Sequence, residues 1–233
     1  VRRSAVKENV KHWSSWFYGW NIVAICMVTM TVGYGVRHSF GVFFPPILDE
    51  FGWSRGSTAV MLSIHLFVYG SMAPFVGVLA DRWRAKRIIL LGAVMMTLAT
   101  VSCGLATKLW HFYVIFGILT PIGLALVGSP VINPTITNWF YKFRGIAFSL
   151  MQTGGGLSFL YAIYAESLIG NFGWRQAYFV LGFTLFVILV PMLLIFFFYH
   201  PKEKGLEALS EESGKLSPDR GSGIPDKKIN WTL

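Results

Sequence analysis

Six apolar stretches of about 19 to 26 residues follow one another between Gly19 and Tyr199, and within them only Arg37 and Glu166 are fully charged. At about 1.5 Å of rise per residue, roughly 20 apolar residues cross the ~30 Å hydrocarbon core of a bilayer as a helix. The stretches predict helices at 19–44, 59–80, 88–106, 109–132, 145–169 and 177–199, hence an all-α membrane protein built as a six-transmembrane-helix bundle. Charged residues make up 13% of the chain, against roughly 25% in soluble domains, so a water-soluble fold would leave much of this apolar surface uncovered.

Charge placement gives the expected topology. The net charge is +9, and sixteen of the 20 Lys and Arg fall before the first stretch, between the second and third, between the fourth and fifth, or after the sixth. Arg55, Lys108 and Arg175 fall on the other side, and Arg37 lies within the first stretch. Basic residues stay on the cytoplasmic side, so both termini of this segment are expected to be cytoplasmic. The basic excess thus reads as topology, and no nucleic-acid partner is expected. Trp53, Trp110, Trp139 and Trp174, at the ends of stretches, are expected to be headgroup-level anchors. Cys26 and Cys103 lie inside stretches and read as packing residues. No metal site, cofactor or catalytic set is expected. Residues 1–18 form a basic, aromatic lead-in, 19–199 the membrane domain, and 200–233 a polar Gly/Ser/Pro-containing linker. The abrupt end of that linker, with Val1 at the start, leads to the expectation of a segment of a longer protein.

Charge inside a membrane span is costly and usually functional. Arg37 lies about 9 Å outward of its helix centre at ~1.5 Å per residue. Tyr34, Arg37, His38 and Gly41 follow i, i+3, i+4, i+7 spacing and share a helix face. His65 and Tyr69 share a face of the second helix at similar depth. Gln152 adds a polar group to the fifth helix, beside Gly154, Gly155 and Gly156, which allow close packing. These residues are expected to surround one substrate cavity. A guanidinium grips a carboxylate as a bidentate fork, and a neighbouring His can exchange a proton near neutral pH. The competing readings are snorkelling for Arg37, and core packing for His65, Tyr34 and Tyr69. Glu166, near the outer end of the fifth helix, is expected to snorkel, the alternative being a role in proton coupling. Pro121, Pro130 and Pro134 are expected to kink the fourth helix.

The loop after the second helix carries Gly77, Leu79, Ala80, Asp81, Arg82, Lys86 and Arg87. A small residue, an acid and a basic cluster sit at a tight inner turn, and Gly77 is expected to let two helices approach closely. This loop resembles the signature loop of the major facilitator superfamily, G-x-L-A-D-R-x-G-x-R/K-R, with Arg84 in place of the second Gly. Phe140, Lys142, Arg144, Ala147 and Gly154 resemble the monocarboxylate porter phrase before the fifth helix, while Phe143, Ile146, Ser149 and Thr153 depart from it. Ser39 to Phe44 and Phe51 to Arg55 are similar to the prokaryotic branch of that family and to oxalate/formate antiporters. His38 falls where several monocarboxylate porters carry a functional lysine.

The resemblance implies the amino-terminal half of a twelve-helix major facilitator fold, with the carboxy-terminal half as partner. It implies alternating-access transport of a small organic anion, coupled to H+ or a counter-anion, in a bacterial cytoplasmic (inner) membrane. Gly77, Asp81, Arg82, Lys86, Arg87 and Arg144 are then expected to form a cytoplasmic gate. The alternatives are export of a neutral or cationic solute, and a non-transporting membrane sensor or scaffold. A phrase repeated in two outer loops, Phe51-Gly52-Trp53 and Phe172-Gly173-Trp174, with Arg55 and Arg175 following, reads as a helix start with a Trp anchor, or as part of an outer gate.

Overall fold

The computed structural model describes residues 2–140 and 143–201, with side chains from Tyr18 onward. These residues are helical almost throughout: α1 (Arg2–Phe51), α2 (Arg55–Arg82), α3 (Ala85–Gly104), α4 (Leu109–Val114), α5 (Thr120–Val127), α6 (Ser129–Trp139), α7 (Arg144–Leu157) and α8 (Phe159–Phe196). A π-helical turn, Ile115–Leu119, joins α4 to α5. Five stretches are long and apolar enough to cross a membrane, the last being the 53 residues Arg144–Phe196. That last stretch doubles back. Gly173 is non-helical (φ 79°, ψ 161°), and the Tyr161 hydroxyl donates to the Leu181 carbonyl at 3.2 Å. Residues twenty apart in a straight helix would stand roughly 30 Å apart.

Three expectations about local structure are corrected. The first helix continues through Pro45 and Pro46 to Phe51, because Ile47 (2% exposed) and Phe43 anchor it in the core, and it stops where Gly52 turns to φ 66°. Trp139 and Trp174 are buried rather than interfacial, since each indole N–H has an internal acceptor: the Phe198 carbonyl at 2.9 Å for Trp139, and Glu50 for Trp174. Gly77 is not at a tight helix crossing among the described residues, because a Cβ built there would meet open space.

Close crossings occur elsewhere. A Cβ at Gly92 would stand 2.5 Å from the Leu126 Cβ, and one at Gly123 3.0 Å from the Met96 Cβ, so α3 and α5 touch backbone to backbone. Gly154 of α7 sits against the Met27 carbonyl of α1 in the same way. The core runs along α1, α3, the α4–α6 segment and the later part of α8. By contrast, only 17% of the most apolar window of α2 is buried. Phe67, Phe75, Val60 and Val78 leave it with a long exposed apolar face.

At the end carrying the basic loop, the chain leaving α8 is strapped across the bundle. Tyr18 donates to the Phe196 carbonyl at 2.8 Å, and the Lys86 ammonium lies 4.7 Å from the Phe198 ring centre. Tyr199 points its hydroxyl at Asp81 at 3.4 Å.

Candidate functional site

The helical spacing on α1 places Tyr34, Arg37 and His38 together, half-buried, with Gly41 exposed one turn on. The Tyr34 hydroxyl is 2.8 Å from that of Tyr69 on α2 and 3.2 Å from that of Ser129. Ser129 is available there because the helix breaks at Gly128 (ψ −152°) and restarts as α6 with Pro130 in its first turn. The sequence-based expectations did not include Ser129; a Gly-Ser-Pro run inside an apolar stretch is the signal that marks it.

His38 is pinned on the other side of the face. Its Nδ1 lies 2.6 Å from the Ser158 Oγ, and Ser158 donates to the Gly155 carbonyl at 2.5 Å. With the serine proton spent on the carbonyl, Ser158 accepts, so Nδ1 carries the ring proton and Nε2 is left to the site. The ring stacks on Phe159 with 4.4 Å between centres. Ser158 and Phe159, at the junction of α7 and α8, were also absent from the expected set. Arg37 makes no hydrogen bond or ion pair with any described residue. By helical spacing it shares the α1 face with Tyr34 and His38. Gln152 is exposed on α7 and hydrogen-bonds none of the others.

His65 departs from the expected cavity lining. It is fully buried, its Nδ1 is 2.9 Å from the Phe116 carbonyl, and its ring stacks on Phe116 at 4.8 Å. The cause lies in the fourth crossing. The Thr120 N–H bonds the Ile115 carbonyl, five residues back. The Phe116 carbonyl would next look to residue 121, which is a proline without an N–H. His65 fills that vacancy from α2, so packing against helix four, not access to substrate, sets its orientation in this conformation.

Of the loop residues, Asp81, Arg82 and Arg87 are exposed, and Lys86 is half-buried against Phe198. Arg144 donates to the Phe140 carbonyl at 2.6 Å and to the Thr137 carbonyl at 3.3 Å, closing the end of α6. Lys142 lies outside the described residues.

A bundle of long apolar helices, with an arginine unpaired among the described residues on a polar helix face, defines the class: a multi-pass integral membrane protein. Residues 22–231 match the family model described as Major Facilitator Superfamily. The chain belongs to the Major Facilitator Superfamily, a family of transporters and not of enzymes. It is 32% identical over 184 residues to human monocarboxylate transporter 11, covering 76% of this chain and 39% of that protein. It is 29% identical over 177 residues to the uncharacterized MFS-type transporter YcxA of Bacillus subtilis (strain 168), covering 75% of this chain and 43% of that one. The chain thus spans less than half the length of these relatives. In fold it resembles a bacterial homolog of the human lysosomal transporter Spinster, solved inward-facing and unoccupied, with a TM-score of 0.69 and 19% identity over 84% of this chain and 46% of that one.

Proposed function

We propose that this chain is the amino-terminal, six-crossing half of a twelve-helix secondary transporter for a small organic anion. Six crossings follow if the turn at Gly173 divides the last apolar stretch into two spans. The observation that carries the substrate class is Arg37: a guanidinium without a counter-charge among the described residues, on the α1 face of Tyr34 and His38 that Tyr69 and Ser129 meet. Hydrocarbon offers such a cation nothing, whereas a carboxylate satisfies it as a fork. The tyrosine and serine hydroxyls supply neutral donors for the rest of the anion, and the His38 Nε2 is placed to exchange a proton with it. Likeness to monocarboxylate transporters supports the same substrate class.

Alternating access then follows as rocking of this bundle against a second one across the polar face. The apolar face of α2 is the natural seat for that second half, and Asp81 with its basic neighbours forms the cytoplasmic gate. Residues 200–233 serve as the central linker, with both ends of the segment cytoplasmic. Counterflow by the complete protein in proteoliposomes, against a panel of radiolabelled mono- and dicarboxylates, tests the proposal. Exchange of at least one carboxylate, competed by unlabelled carboxylates and not by their amides, is expected. Exchange of cationic or neutral solutes alone would replace the anion with the exporter alternative.

A further inference from the structure

His65 has one nitrogen accounted for and one not. A carbonyl oxygen only accepts, so the bond to Phe116 requires the proton on Nδ1. In the neutral ring Nε2 is then a lone-pair acceptor, and it is buried without a partner. A buried acceptor left unmet costs free energy, so a native site normally gives it a donor in some state. A candidate donor lies on α1. Phe40, one turn from Arg37, stacks on Phe116 at 4.0 Å, and Phe116 stacks on His65. Arg37 is three residues from Phe40 on α1 and so lies on the side of that helix from which Phe40 stacks toward His65. Arg37 has five N–H donors, and a carboxylate fork takes two. When a site closes and expels water, the remaining donors need a protein acceptor.

We infer that His65 is a positioning residue for Arg37: when the site closes on substrate, the His65 Nε2 accepts a guanidinium N–H and aims the fork at the carboxylate. This rests on the reading of Arg37 as the carboxylate ligand. His65 itself does not touch substrate. Pro121 acts two steps away, because its missing N–H opens the Phe116 carbonyl that fixes the His65 tautomer.

The test uses two substitutions with opposite consequences, in the complete protein, with a carboxylate exchanged by the parent as probe. His65→Asn retains a donor at the Nδ1 position for Phe116 and loses the Nε2 acceptor. His65→Gln reaches the Nε2 position and gives up the bond to Phe116. His65→Asn is expected to raise KM about tenfold, the effect of one hydrogen bond to a charged group, with kcat and melting temperature kept. His65→Gln is expected to keep KM within about threefold of the parent while melting earlier. A purely structural histidine gives the reverse, with His65→Asn silent and His65→Gln impaired. That pattern, or equal KM in the two variants, overturns the inference. Failure of the underlying reading shows separately: the parent exchanges no carboxylate, or Arg37→Gln exchanges one normally.

Discussion

The repeated Phe-Gly-Trp phrase leads to a quantitative prediction, because its two copies pack against each other. Gly52 and Gly173 both turn at positive φ, 66° and 79°. Trp53 and Trp174 both reach Phe112, with ring centres 5.9 and 6.1 Å away, and Phe51 lies 6.0 Å from Trp174. Arg175 closes the assembly. It pairs with Glu50 at 2.8 Å, donates to the Ala106 carbonyl at 3.2 Å and lies over the Trp174 ring at 4.4 Å. Glu50 also accepts the Trp174 indole N–H. The ends of α1, α3 and the later part of α8 are thereby held together.

Two substitutions at Glu50 separate the contributions. The ion pair is 38% and 43% exposed on its two sides, so water screens it and its share is about 0.2–1 kcal/mol. The indole N–H is another matter, since Trp174 is 6% exposed and a buried donor left unmet costs about 1–3 kcal/mol. Glu50→Gln removes the charge and keeps an acceptor, so a loss under about 1 kcal/mol is expected. Glu50→Ala removes both, so a loss of about 2–3 kcal/mol is expected. Thermal unfolding of the detergent-solubilised protein measures both, and 1 M salt should diminish the Glu50→Gln effect selectively, because the Debye length falls to about 3 Å. Equal melting temperatures for Glu50→Ala and Glu50→Gln would refute the assignment of the larger share to the indole bond. Parental stability in Glu50→Ala would refute the clamp itself.

Three further outcomes are expected. Gly154→Ala should destabilise by about 1–3 kcal/mol in thermal unfolding, because its methyl would meet the Met27 backbone, whereas Gly170→Ala, opening onto free space, should be neutral or slightly stabilising. Asp81→Asn in the complete protein should slow exchange more than it weakens substrate affinity, and unchanged exchange rates at normal expression would argue against a gate. Arg55→Cys should react with a membrane-impermeant maleimide on intact cells and Arg84→Cys only after permeabilisation; the reverse pattern would invert the topology.

The membrane crossings were legible because hydrocarbon imposes length and composition directly on sequence, and the face of Tyr34, Arg37 and His38 because helical periodicity is local. Core packing of His65 stood among the competing readings, but the partner that holds it was not legible. What buries it is a missing N–H at Pro121, 56 positions away, acting through a π-turn that no local pattern announces. Trp139 and Trp174 misled for a related reason: an indole near a helix end suits the headgroup layer equally well, and only the folded chain supplies the internal acceptors that draw it inward. Pro45 and Pro46 read as a helix end, yet burial of Ile47 carries α1 past them. Ser129 and Ser158 join the candidate site through breaks in helices, where a short hydroxyl can meet a side chain on another element.

Carboxylate recognition by Arg37 is tested most directly by counterflow of a radiolabelled carboxylate through the complete protein carrying Arg37→Gln, with insertion checked by surface labelling. Exchange near background, with the variant inserted at parental levels, is the expected result. Arg37→Lys should retain some exchange at a substantially raised KM, because charge persists while the fork is lost. Normal exchange by Arg37→Gln would contradict the proposal and leave Arg37 as a snorkelling side chain.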